Sequence, residues 1–183
     1  MRRLPAVLVL FALAMPGSVP RPAELSITGA SPADLRVLIV DTWDRFVEAF
    51  PARRGCLAPV TVQGAWSLDG RGSYDPVRRL VTVRIPGTAP NLRASLVHEF
   101  AHHMEFTCPE QRDVRVPFLA AQGLPLSATW FEGRSWETTP SEQFAEAIVQ
   151  VVLGRPAHQA VLIHPRSVEL LRAWGRGDVR HGS

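Results

Sequence analysis

Apolar residues recur at helical spacing from Leu35 to Phe50, through Leu38, Ile39, Trp43, Phe46 and Val47, so one face of a helix is built for a core. Ser31-Pro32-Ala33-Asp34 opens it, with Ser as N-cap, Pro at the first position and an acid in the first turn, and Pro51 ends it. The pattern then changes. Between residues 57 and 86 it reads as β, with the short β-branched run Val60-Thr61-Val62 and strict alternation from Leu80 to Ile85. Gly72 to Asp75 can pair with the second run as a hairpin, across the Asp75-Pro76 turn signal. Helical spacing returns over residues 91–106, where Leu92, Leu96, Val97, Phe100, Ala101 and Met104 form the apolar side. Pro109, Pro117, Gly123, Pro125 and Gly133 interrupt residues 109–138, which predict loop with a short helix at 118–122. A clear helix follows from Pro140 to Leu153, with Thr139 as N-cap and Gly154 past its end, and a short one closes the chain at Ser167 to Trp174. Helices at both ends and strands in the middle predict an α+β fold.

Composition agrees with a folded chain. Of 183 residues 46% are hydrophobic, with five Trp and eight Phe, enough to bury a core. The first twenty residues read differently. Arg2-Arg3 precedes an apolar run from Leu4 to Ala14, and Ala12-Leu13-Ala14 has the form of a cleavage site. Residues 1–20 therefore predict a signal peptide cut near 14–20, a secreted or extracytoplasmic location, and a single mature domain over 21–183. Past residue 20 no apolar run approaches the roughly 18 residues of a membrane span, so no stable membrane insertion is expected after cleavage. Every basic residue is Arg, and the formal net charge is +3. Loss of Arg2 and Arg3 brings the charge close to balance, and no basic run exceeds two residues, which excludes a nucleic-acid footprint. Export also changes how the two cysteines are read. Cys56 and Cys108 would meet an oxidising compartment and bridge, closing a loop of about 52 residues worth about 4 kcal/mol.

The chemistry lies on the second helix. His98-Glu99-Phe100-Ala101-His102 places two imidazoles one turn apart on one face, where both can hold one Zn²⁺. Glu99 sits beside them to take a proton from a water on the metal. His103 points about 100° away and cannot share that ion. A catalytic zinc needs a third protein ligand; Glu132, Glu137, Glu142, Glu146, His158 and His164 are the candidates downstream. Thr139-x-x-Glu142 also fits a capping box, and Glu146 fits a solvated helix face.

His98-Glu-Phe-Ala-His102 with Glu142-Gln-Phe-Ala-Glu146 resembles the gluzincin metallopeptidases, and within them the anthrax-lethal-factor-like and Pro-Pro endopeptidase group. The resemblance covers roughly residues 70–152. It implies a zincin-like domain whose small mixed or antiparallel sheet packs on an active-site helix and a second, Glu-bearing helix. It implies one zinc per chain, held by His98, His102 and Glu142, with Glu146 orienting His98 and Glu99 as the catalytic base. The implied activity is hydrolysis of protein or peptide substrates without a covalent intermediate. That group carries a Tyr shortly before the third ligand, to stabilise the oxyanion. Here Gly133-Arg134-Ser135-Trp136-Glu137 has none, and the chain's single Tyr is Tyr74. Arg134, His103 and His158 are the candidates for that role. Trp130 and Trp136 serve either the core or a substrate cleft. Beside the enzyme stand two alternatives: an exported zinc-binding module without catalysis, and a toxin-like or cell-envelope interaction protein whose vestigial helix motif binds no stoichiometric zinc.

Overall fold

The computed structural model describes residues 23–29, 31–158 and 160–178, so the signal-peptide segment lies outside the described residues. The chain forms β1 (Leu25–Ile27), α1 (Ala33–Ala49), β2 (Val60–Ala65), β3 (Gly72–Asp75), β4 (Leu80–Arg84), α2 (Ala89–Thr107), α3 (Gln111–Gln122), α4 (Pro140–Leu153) and α5 (Pro165–Arg176). Single 3₁₀ turns lie at Pro51–Arg53 and Trp136–Thr138. Among the described residues this is an α+β fold of five helices on a small mixed sheet.

The sheet order is β1-β2-β4-β3. β1, β2 and β4 run parallel, and β3 closes the edge antiparallel to β4, with Gly72 opposite Val83 and Tyr74 opposite Val81. The predicted hairpin is therefore present. β1 is an addition to the sequence reading: three residues carry too short a pattern to declare a strand, and Leu25 becomes one only by pairing with Val60. Val60, Val62, Val81 and Val83 are fully or almost fully buried, and they meet Leu96, Phe100, Phe144 and Ile148 in one apolar cluster. Each such side chain withdrawn from water contributes about 1.5–3 kcal/mol. α2 lies at the centre, against α1, β3, β4 and α4.

Three local expectations change. α1 begins one residue later than expected, with Pro32 at the cap position, and the Ser31 hydroxyl donates back to the Thr28 carbonyl. α3 is a full helix from Gln111 despite Pro117, because Val114, Phe118 and Leu119 gain burial that outweighs one missing N–H. Thr139 does cap α4, but its hydroxyl donates to the Ser135 carbonyl, and no capping box with Glu142 forms. Gly154 ends α4 in the left-handed conformation, as expected.

Candidate metal centre

Phe100, Ala101 and Met104 face the core with no exposed surface, which turns the opposite side of α2, carrying His98 and His102, toward a cleft. α4 packs along α2 through the buried Phe144, Ala145 and Ile148. That contact brings Glu142 and Glu146, one turn apart, against the two histidines.

His98, His102 and Glu142 form a group that could hold a metal ion, their nearest ligand atoms all lying within 4.8 Å of one another. The His98 and His102 Nε2 atoms are 3.2 Å apart, and Glu142 Oε2 is 3.0 Å from the first and 3.4 Å from the second. The other ring nitrogens are fixed by carboxylates. His98 Nδ1 donates to Glu146 Oε1 at 3.0 Å, and His102 Nδ1 donates to Glu105 Oε2 at 2.7 Å. A carboxylate only accepts, so each Nδ1 carries a proton and each neutral ring turns a lone pair inward.

Three inward lone pairs make a site that draws positive charge. Burial disfavours a charged His98 ring, but Glu142 and Glu146 outweigh burial and raise it to about 8. His102 is raised well above its usual value, with Glu105 and Glu142 outweighing burial. Burial also works against an ionised Glu142 and Glu146, and the histidine partners hold both carboxyls below the usual range nonetheless.

Glu99 is 6% exposed and lines the same cleft, of about 340 Å³. Among the described residues it accepts no hydrogen bond, and burial raises its pKa. Its space is made by a glycine. A Cβ on Gly72 of β3 would stand 2.6 Å from Glu99 Oε1, so only glycine lets the edge strand run this close to the carboxylate.

Sequence reasoning did not single out Glu105. Its carboxylate, on the same α2 face three residues beyond His102, also accepts from Trp130 Nε1 and Ser141 Oγ, both at 2.8 Å. The i,i+3 spacing from His102 was the one available signal; the other two partners come from distant segments. Trp130 is thus a buried support, whereas Trp136 lines the cleft, stacked on His98 with ring centroids 5.8 Å apart.

The remaining candidates stay outside the metal group, though Glu137 and His158 line the cleft toward His98. His103 has no exposed surface and donates from Nε2 to the Ala58 carbonyl at 2.9 Å, so its Nδ1 accepts from the Tyr74 hydroxyl at 3.0 Å. It turns away from the cleft. His158 binds Glu146 Oε1 through Nδ1 at 2.8 Å. His164 caps α5 by accepting from Arg166 N–H. Glu132 and Arg134 are exposed and line neither lobe of the cleft. Cys56 and Cys108 form a disulfide, as expected.

No family model matches the chain, and no curated protein or solved structure matches it either.

Proposed function

We propose that the protein is an exported, zinc-dependent peptidase of the gluzincin type. The observation that carries the proposal is the convergence of His98 Nε2, His102 Nε2 and Glu142 Oε2 beside the buried carboxylate of Glu99, which accepts no hydrogen bond among the described residues. The donor set fits zinc. Ligands arranged tetrahedrally at about 2.0–2.1 Å from zinc stand about 3.3 Å from one another. The three donor pairs here are separated by 3.0, 3.2 and 3.4 Å. Bound there, zinc would supply Lewis-acid polarisation of the substrate carbonyl and a lowered pKa for water.

The chain's own residues do the rest. Glu105 and Glu146 hold both rings in the tautomer that points Nε2 inward. Glu99, with its raised pKa, takes the proton of the attacking water and passes it to the departing amine. Glu142 stays ionised and balances the charge of the site.

β3 supports a peptide as substrate. Arg84 N–H donates to the Arg71 carbonyl at 2.9 Å, so by antiparallel alternation Ser73 pairs with Thr82 through hydrogen bonds. Gly72 and Tyr74 then turn their N–H and C=O groups away from β4, at the free edge beside Glu99. An extended peptide can add there as a further strand. The disulfide suits an oxidising, extracytoplasmic compartment, and no helix among the described residues is long and apolar enough to cross a membrane.

Elemental analysis of purified chain and peptide-library cleavage test the reading together. About one zinc per wild-type chain is expected, much weakened in Glu142→Ala. Glu99→Gln should keep zinc and lose turnover. Zinc-loaded wild type that cleaves nothing would leave a metal-binding module, and full activity in Glu99→Gln would overturn the assignment of the base.

A further inference from the structure

The cleft differs at its two ends. Toward His102 and Glu142 it is walled by Tyr74, Phe106 and Phe131. Phe106 is 51% exposed and Phe131 49%, although the core is otherwise well buried. They stack on each other at 5.4 Å, and Tyr74 lies 5.9 Å from Phe106. Arg115 braces Phe131 from 5.2 Å. Toward His98 the cleft is lined by Gly70, Arg71, Ser95, Glu137, His158 and Ala160, with no Phe or Tyr among them. Trp136 and Glu99 lie between the two ends and border both.

Half-exposed aromatic rings held in a fixed stack present a preorganised apolar surface to the cleft. Their place beside the metal-binding group gives them a ligand to cover. The chain through β3 runs from the His98 end, where Gly70 and Arg71 precede the strand, to the aromatic end, at Tyr74 and Pro76. A strand added antiparallel, the more stable pairing, runs the opposite way, from the aromatic end to the His98 end.

From this asymmetry we infer that the Tyr74–Phe106–Phe131 wall is a recognition subsite for a large apolar side chain, Phe, Tyr, Trp, Leu or Met, on the N-terminal side of the scissile bond of an extended peptide. The inference rests on the peptidase reading, and it adds a substrate class and a direction.

The test separates binding from turnover. A displayed library of random peptides is selected on the zinc-loaded Glu99→Gln chain, and the selected peptides are then offered to wild type. Selected peptides should share one large apolar position. Changing that peptide residue to Ser should weaken binding about tenfold or more, and so should Phe106→Ser with Phe131→Ser in the protein. Unchanged zinc content and circular dichroism show that the doubly substituted chain is folded; the peptide-side change gives the same readout without altering the protein. Wild type should cut on the C-terminal side of the apolar residue. Selection of no peptide, peptides without an apolar position, equal binding by the doubly substituted chain, or cleavage on the N-terminal side of the apolar residue would each overturn the inference. Tight, aromatic-dependent binding without cleavage by wild type would keep the subsite and sink the peptidase reading. Cleavage indifferent to the apolar residue would do the reverse.

Discussion

Glu105 accepts three hydrogen bonds on one buried carboxylate, from His102, Trp130 and Ser141. Glu105→Ala would free His102 Nδ1 and leave two buried donors without an acceptor. Zinc affinity should fall about 10–100-fold, measured by competition with a chelator, and Glu105→Gln should recover part of it. His103 has a different burden. Burial lowers its pKa to about 4, against an ordinary 6.5. Between those values the unfolded chain holds a proton that the folded chain refuses, so stability falls as pH drops through that window. The full effect is on the order of 3 kcal/mol. His98, raised to about 8, acts in another window: its contribution is complete below 6.5 and is lost as pH rises through about 8. The urea midpoint of metal-free protein should therefore drop from about pH 6.5 to 4.5, and His103→Gln should flatten that drop. An equal slope in the variant would place the acid sensitivity elsewhere.

At the scale of elements, the site is a pairing of α2 with α4. α4 is seated by Phe144, Ala145 and Ile148, all fully buried, and Glu142 and Glu146 ride on it. Ile148→Ala should cost about 2–5 kcal/mol in denaturant unfolding, and zinc affinity should weaken with it because Glu142, the proposed third ligand, loses its seat. Unchanged zinc affinity would mean that other contacts position Glu142. Both helices were legible from periodicity, α4 to the residue, because each buries a continuous apolar stripe. α3 was legible only in its second half. Pro117 reads locally as a break, and only packing of Val114 and Phe118 shows that the helix runs through it. β1 was not legible at all, since a three-residue strand is defined by its partner.

Across the whole molecule, the Cys56–Cys108 disulfide ties the loop before β2 to the end of α2, 52 residues apart in sequence. Reduction, or Cys56→Ala with Cys108→Ala, should lower stability by about 4 kcal/mol in urea titrations. A shift under about 1 kcal/mol would mean that the surrounding packing alone holds α2 in place.

By itself the sequence determined what is local. Helical spacing set α1, α2 and α4, and a four-residue step put His98 and His102 on one face. The Cys pair and the Glu142 to Glu146 step were also readable, because each needs only near neighbours or residue counting. Tertiary structure decided the rest. It chose Glu142 as histidine partner over cap, gave Glu105 its buried donors, and sent His103 to Tyr74 and Ala58. It also set Gly72 against Glu99 and gathered Phe106 and Phe131 into one wall. A side chain's hydrogen-bond partners and its exposure depend on segments tens of residues away, and no local pattern encodes which of those segments will meet.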